Sequence, residues 1–135
     1  MKKILFVPLL FILIFFTSAC NDIKPAILFN TNPISAQNAL NSTNTFECGR
    51  TIYYLVIIPK PIKSRYAYIQ IIKKGDEHER LGHQLFYGNT VRLKDEQMYY
   101  YNDYIVIYEK GAYVMQVYSK DNPTKVLTSA QFWVR

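Results

Sequence analysis

The chain is poor in the residues that build most catalytic and cofactor sites. Its 135 residues include only two histidines, two cysteines and five glycines, and the glycines are scattered. A glycine-rich phosphate-binding loop is therefore absent, since it needs several glycines within a few residues. Ser129 lacks the Gly-x-Ser-x-Gly context of a nucleophile elbow. These absences predict that the protein is not an enzyme, has no catalytic residue and uses no cofactor.

The few histidines and the paired carboxylates do not form a convincing metal or acid-base site. His78 and His83 are five residues apart, with Glu77 and Glu79 beside the first. A zinc site can be drawn from these residues, but no third ligand pattern recurs nearby, and a solvated charged loop is the favoured interpretation. The prediction is that no metal is bound.

Two groups of acidic residues lie in predicted turns. A general acid needs an apolar pocket that raises its pKa, and the neighbours of both groups are lysine, arginine and glycine. Solvated loops are therefore expected at both places. The groups are Asp76, Glu77 and Glu79, and Asp95 and Glu96.

The charge is positive but not concentrated. Sixteen basic and ten acidic residues give a net charge of +6, and the two signs are interleaved. The tight basic cluster that is typical of a nucleic-acid surface is absent, so no nucleic acid is predicted as a partner. Weak attraction to anionic lipid or glycan stays open, because Lys60, Lys63 and Arg65 lie close together.

The first twenty residues have the layout of a secretory signal. Lys2 and Lys3 precede an apolar run from Ile4 to Phe16, and three small residues, 17–19, come before Cys20. The run is too short to span a hydrocarbon core about 30 Å thick comfortably. The alternatives are an ordinary secretory signal with an incidental cysteine, or an uncleaved anchor.

The small residues followed by Cys20 resemble the lipobox of bacterial lipoproteins. This resemblance implies that Cys20 receives a diacylglyceryl thioether, that the chain is cut before it, and that its new amino group is acylated. The place three residues before the cysteine usually holds leucine and here holds Thr17. In the lipoproteins of enteric bacteria, an aspartate directly after the cysteine tends to retain the protein in the inner membrane. Here Asn21 stands at that place, so the resemblance implies the outer membrane. The implied location is the cell envelope, with the lipid on Cys20 attached to a membrane.

The chain divides into three parts by composition. Residues 1–19 are the predicted signal peptide, residues 20–45 are rich in Asn, Ser and Thr and predict a flexible tether, and residues 46–135 predict one folded domain. Within the predicted tether, residues 26–29 are alternatively predicted to add an edge strand to the domain. Cys48 is expected to be a buried free thiol, because a lipidated Cys20 cannot pair with it.

The domain shows short β-strand patterns and no helical period of useful length. About seven strands predict an all-β, antiparallel two-sheet sandwich or a small barrel. The clearest patterns are apolar on alternate positions and are separated by turn residues. The predicted strands are 51–58, 66–72, 84–87, 90–93, 104–108, 112–118 and 126–134, and residues 98–101 have a further strand as an alternative.

One short segment resembles the tyrosine corner of immunoglobulin-like domains. The family pattern is Asp-x-Gly/Ala-x-Tyr-x-Cys, and residues 109–115 supply Glu109, Gly111, Tyr113 and Met115 at its four defined places. The resemblance implies an immunoglobulin-like sandwich in which the Tyr113 hydroxyl binds nearby backbone. A plain turn followed by a core tyrosine is the alternative.

Tyrosine is the most unusual residue type, with twelve in the chain. Tyr99, Tyr100 and Tyr101 are consecutive, so strand alternation places at least one away from the core, and with Tyr104 they predict an exposed binding patch. Cross-strand tyrosine ladders are the alternative. The predicted function is a lipid-anchored, non-catalytic module that recognises a protein or glycan in the cell envelope. The alternatives are an accessory subunit that pairs through a sheet edge, or a small periplasmic enzyme or inhibitor.

Overall fold

The structure is a computed structural model that describes residues 24–58, 64–75, 82–94 and 99–135. These residues form eight β-strands and no helix, so the prediction of an all-β protein is confirmed, with one strand more than expected. None of the described segments is a helix long and apolar enough to cross a membrane. The strands are β1 (Ala26–Asn30), β2 (Thr45–Phe46), β3 (Thr51–Ile57), β4 (Tyr66–Lys73), β5 (Gln84–Arg92), β6 (Tyr100–Val106), β7 (Gly111–Ser119) and β8 (Asn122–Val134).

The strands form two sheets, as expected for a sandwich. One sheet has three strands in the order β1-β3-β6, and the other has five in the order β2-β8-β7-β4-β5. All pairs are antiparallel except the short β2–β8 pair, which is parallel. β3 is the central strand of the three-stranded sheet, as its apolar pattern predicts; its inward residues are buried and its outward residues are half-buried.

The core lies between the two sheets and follows the predicted alternation. In β7, Tyr113, Met115 and Val117 are at most 1% exposed, whereas their neighbours are half-buried. The rings of Tyr113 and Phe132 stack with centroids 5.5 Å apart, and Phe29 packs 4.9 Å from Phe132. Phe29 belongs to one sheet and the other two rings belong to the other, so this aromatic cluster joins the two sheets. Burial of each such side chain contributes about 1.5–3 kcal/mol.

One predicted turn is a continuous strand in the structure. Residues 84–87 and 90–93 are expected as two strands separated by Gly88 and Asn89, but β5 runs unbroken from Gln84 to Arg92. Gly88 pairs with Gln70 of β4, and the hydroxyl of Tyr68 occupies the space that a β-carbon on Gly88 would fill. This glycine therefore admits a neighbouring tyrosine rather than turning the chain.

A second predicted break is also absent. Asn102 and Asp103 are expected to separate two strands, but both lie within β6, opposite Leu55 and Tyr54 of β3. Pairing with a central strand holds these two residues extended despite their low β-propensity. Met98, the expected start of the first of these strands, lies outside the described residues.

The described part of the predicted tether belongs to the domain. β1 pairs with β3 and is an edge strand of the three-stranded sheet, in agreement with the alternative given for residues 26–29. The amide nitrogen of the buried Asn30 side chain donates to the carbonyl of Asn41 at 3.2 Å, and its oxygen accepts from the backbone N–H of Asn32 at 3.0 Å. These bonds close residues 31–41 into a loop, because a buried amide must find partners. Residues 20–23 and the predicted signal lie outside the described residues.

Candidate functional site

The four tyrosines predicted to form a patch do not all point the same way. Tyr99, Tyr100 and Tyr104 are 55%, 43% and 60% exposed, whereas Tyr101 is half-buried. Tyr101 lies opposite the buried Val56 in the pair of β6 with β3, so it faces the inside of the sandwich. The consecutive tyrosines are therefore divided between two faces by strand alternation.

Tyr101 is held inside by a hydrogen bond rather than offered to a ligand. Its hydroxyl donates to the carboxylate of Asp103 at 2.9 Å, and its ring centroid lies 6.3 Å from that of Tyr54. Burial raises the pKa of Tyr101, and the Asp103 carboxylate raises it further. Burial also raises the pKa of Tyr54, with Tyr101 as the next cause. Both phenols therefore stay neutral, because ionisation would place a second negative charge near Asp103 in a partly buried site.

The outer side of the three-stranded sheet forms an uncharged aromatic surface, which we call the aromatic face. The rings of Tyr53 and Tyr104 meet across β3 and β6 with centroids 6.0 Å apart. No outward position of these three described strands carries a charged side chain. Asn30 pairs with the outward Tyr53 but is buried and bonded to the loop after β1, so it is not part of this surface. The aromatic face consists of the other outward residues, Ala26, Leu28, Thr51, Tyr53, Leu55, Ile57, Tyr100, Asn102, Tyr104 and Val106.

The outer side of the five-stranded sheet is different in chemistry. The Gln70 amide donates to the side-chain oxygen of Gln116 at 2.7 Å, and the Tyr118 hydroxyl donates to the same oxygen at 3.0 Å. Lys74 reaches Gln131 at 3.3 Å on this sheet. The amides of Gln70 and Gln116 and the Tyr118 hydroxyl satisfy one another, so a polar group lies on this side together with the exposed rings of Tyr66 and Trp133.

A cleft at one end of the sandwich brings together two arginines that are far apart in sequence. Its volume is about 480 Å³, and we call it the arginine cleft. Its walls come from the end of β1, from β2, from the turn after β2, from the start of β3 and from the residue after β8. The lining residues are Thr31, Thr45, Phe46, Glu47, Arg50, Thr51, Tyr53 and Arg135.

Backbone hydrogen bonds place both arginines at the arginine cleft. The N–H of Arg135 donates to the carbonyl of Phe46 at 2.9 Å, and the N–H of Cys48 donates to the carbonyl of Arg135 at 3.0 Å. The N–H of Arg50 donates to the carbonyl of Glu47 at 3.1 Å, in a turn where Gly49 has a φ of 77°. Only glycine takes such a φ readily, so Gly49 allows the turn that presents Arg50.

The arginine cleft is lined by two arginines and one glutamate, so its side chains carry a net positive charge. Arg50 lies 3.8 Å from Glu47, but both side chains are more than 70% exposed, so this ion pair is weak. Guanidinium groups donate paired hydrogen bonds to oxyanions, and the threonine hydroxyls offer further donors. Sequence reasoning missed this site because Arg50 and Arg135 stand at opposite ends of the domain and share no motif.

The remaining sequence candidates give no site in the described residues. His83 and Ser129 are exposed, and Cys48 is half-buried with its thiol 2.8 Å from the carbonyl oxygen of Tyr108. No group of three His, Cys, Asp or Glu that could hold a metal occurs in the part of the chain that the structure describes. Outside that part lie Cys20, Asp76, Glu77, His78, Glu79, Asp95 and Glu96.

Comparison with known proteins identifies no family. No protein-family model and no curated protein matches the chain. Among solved structures, the chain is similar to Pseudomonas fluorescens alkylpurine DNA glycosylase AlkC bound to DNA containing an abasic site analog, with 11% sequence identity and a TM-score of 0.41. The match covers 82% of this chain and 29% of that chain. A likeness of this degree carries no argument about activity.

The function predicted from the sequence needs a correction. The prediction was a lipid-anchored, non-catalytic module that recognises a protein or glycan in the cell envelope, whereas the structural comparison gives a DNA-bound enzyme. The predicted recognition of a protein or glycan partner in the cell envelope is therefore not proposed again, whereas acylation of Cys20 is a separate prediction that this comparison does not test. Binding of DNA and glycosylase activity are said of AlkC and are not transferred to this chain.

Proposed function

We propose that the domain binds a small phosphate-bearing molecule in the arginine cleft. The observation that carries the proposal is the placement of Arg50 and Arg135 on one cleft with three threonines. A volume of about 480 Å³ lies within the range of small-molecule sites, about 300–1,000 Å³. The proposed role is binding without a chemical step, and it includes the sequence-based prediction that no nucleic acid binds.

The charges and the walls of the arginine cleft suit a phosphate group better than a simple cation or an apolar ligand. Two guanidinium groups match the oxygens of a phosphate in pairs, and Thr45 and Thr51 are half-buried on the walls. The ring of Tyr53 lines the same cleft. It gives the non-phosphate part of a ligand a flat apolar surface.

Titration with inorganic phosphate tests this proposal. We expect phosphate to raise the melting temperature of the wild-type protein, because a ligand that binds only the folded state stabilises it. Acetate at equal ionic strength is expected to have a smaller effect. Isothermal titration calorimetry then measures the affinity. A single-stranded oligonucleotide in the same assay is expected not to bind.

Matched charge-neutralising variants locate the binding. Arg50→Gln and Arg135→Gln are each expected to remove the phosphate effect, whereas Arg92→Gln is expected to retain it. Arg92 is exposed on β5 and does not line the cleft. All three variants lose one positive charge. An equal loss of the phosphate effect in all three would show general screening and would overturn the proposal.

We also propose that Cys20 is acylated and that residues 1–19 are removed, so that the domain is attached to a membrane. The support is the order of Lys2 and Lys3, the apolar run and the small residues before Cys20. Intact mass spectrometry of the protein from its native membranes tests this. A mass without acyl chains, or with residues 1–19 retained, would contradict it.

We further propose that the sandwich is immunoglobulin-like. The order β1-β3-β6 corresponds to strands A, B and E, and the order β2-β8-β7-β4-β5 corresponds to A′, G, F, C and C′. Tyr113 then lies on strand F, where the tyrosine corner belongs, and its hydroxyl donates to the carbonyl of Glu109 at 2.6 Å. An experimental structure tests this proposal, and a different order of the strands in either sheet would refute it.

A further inference from the structure

The aromatic face begins where the chain enters the domain. Ala26 of β1, Ile57 of β3 and Tyr100 of β6 form its first row, because Ala26 pairs with Ile57 and Ile57 pairs with Tyr100. Tyr53 and Tyr104 lie further along the same two strands. The N-terminal segment is thus covalently joined to one end of an uncharged surface.

The distance from the proposed acylation site to this surface is short. Ala26 is only six positions after Cys20, and a fully extended chain spans at most about 3.6 Å per residue. Ala26 therefore lies within roughly 22 Å of Cys20 in any conformation. A tether of residues 20–45 would have allowed the domain to stand well away from the membrane, but β1 and the loop after it belong to the fold.

We propose that the aromatic face rests on the phospholipid surface to which Cys20 is attached. This inference depends on the proposed acylation. Tyrosine prefers the boundary between water and lipid, where its ring is apolar and its hydroxyl is hydrated. Tyr100 and Tyr104 present exposed rings on this face, and Leu55 and Ile57 lie half-buried between the strands.

The charges of the described residues specify which side of the domain faces the lipid. The aromatic face carries no charge on its strands, so it loses no hydrated ion when it contacts headgroups. The exposed Lys24 stands just before β1 and is attracted to anionic lipid. The opposite side carries the hydrogen-bonded amides of Gln70 and Gln116, which favour water.

Fluorescence quenching of single-tryptophan variants tests this orientation. The native Trp133 is 40% exposed and points outward from the five-stranded sheet. The full acylated chain is reconstituted into phosphatidylcholine–phosphatidylglycerol vesicles that contain a lipid with a shallow quencher. We expect Trp133 to keep its emission, and the variant Tyr104→Trp/Trp133→Phe to lose intensity and shift to the blue.

A matched variant controls for the substitution itself. Tyr66→Trp/Trp133→Phe places the probe at another exposed tyrosine, on β4 of the other sheet, and is expected to behave like native Trp133. Circular dichroism confirms that each variant is folded. Equal quenching at positions 104 and 66, or stronger quenching at 66, would overturn the proposed orientation.

The two proposals fail in different ways. If intact mass shows acyl chains on Cys20 but position 104 is not quenched, the proposed orientation is wrong and the acylation stands. If the mass shows no acyl chains, the acylation is wrong and the inference falls with it.

Discussion

The hydroxyl of Tyr113 donates a hydrogen bond of 2.6 Å to the backbone carbonyl of Glu109, four residues earlier. The ring of Tyr113 is fully buried, and Phe86 packs against its edge with ring centroids 5.2 Å apart. Burial raises the pKa of Tyr113, and the nearby Lys73 partly opposes this. Glu109 also forms an ion pair with Lys73 through its side chain. This residue pair therefore connects the entry to β7 with the core.

Removal of the Tyr113 hydroxyl is expected to weaken the fold. Tyr113→Phe keeps the packed ring but leaves the Glu109 carbonyl without this donor, so we expect a loss of about 1 kcal/mol in the free energy of unfolding. Chemical denaturation measures it. Tyr108→Phe is the control, because Tyr108 is 79% exposed, and its stability is expected to be nearly unchanged. An equally small effect at Tyr113 would contradict the assigned bond.

Gly88→Ala is expected to destabilise a strand in which alanine would ordinarily be better. Glycine within a strand costs roughly 0.5–1 kcal/mol relative to alanine, but a β-carbon at Gly88 would overlap the Tyr68 hydroxyl. We therefore expect a net loss of about 1 kcal/mol.

A double-mutant cycle with Tyr68→Phe separates the two effects at Gly88. Without the hydroxyl oxygen, the added methyl group has more space, so we expect Gly88→Ala to cost less in the Tyr68→Phe background. The midpoints of urea unfolding for the four proteins give the coupling. Additive effects would show that the two residues do not meet.

Asn30→Ala is expected to release the loop of residues 31–41 from the domain. The substitution removes the side-chain bonds to Asn41 and Asn32, and each such bond contributes about 0.5–1.5 kcal/mol to stability. Hydrogen exchange should increase in this loop and much less in β7. Asn122→Ala, at an exposed position in β8, is the control for loss of an asparagine. Unchanged exchange in the loop would refute its anchoring by Asn30.

The buried tyrosines are expected to make the protein sensitive to alkali. The pKa values of Tyr54 and Tyr101 are raised in the folded state, chiefly by burial, whereas an unfolded tyrosine titrates near pH 10. As the pH rises above about 10, the unfolded chain releases these protons while the folded chain retains them. This contribution to stability is therefore complete below about pH 10 and declines above it.

Denaturation at about pH 8 and about pH 11 measures this decline on either side of the ordinary tyrosine pKa. Tyr101→Phe is expected to lose less stability than the wild type between these two conditions. Asp103→Asn is expected to lower the pKa of Tyr101, because the Asp103 carboxylate is one of its causes; absorbance of the phenolate follows this titration. The same pH dependence of stability in the wild type and in Tyr101→Phe would show that Tyr101 contributes nothing to the loss of stability in alkali.

Much of the fold follows from local sequence patterns, and particular residues show the limit. Ala67, Ile69 and Ile71 alternate with polar or aromatic neighbours and are buried as expected. Trp133 points outward between the buried Phe132 and Val134, also as expected. Alternation is a property of consecutive residues, so it can be recognised without knowledge of the rest of the chain.

The candidate sites were less accessible to sequence reasoning. The consecutive tyrosines indicated an aromatic surface, but the inward direction of Tyr101 depends on its register opposite Val56. The arginine cleft could not be recognised in the sequence, because Arg50 and Arg135 line one cleft only when β2 pairs with β8. Register and pairing between distant strands depend on the whole set of side chains that pack together.

Local patterns of amino acids establish that this protein is built from β-strands, which positions of the clearest strands face the core, and that residues 1–20 have the layout of an export signal. These properties depend on neighbouring residues and on the two-residue period of a strand. The folded chain alone reveals that residues 26–30 complete a sheet, that Gly88 and Asp103 lie within strands, and that two distant arginines share a cleft. Contacts between residues far apart in the chain decide these features, because they overcome the local preference for a turn or a flexible segment.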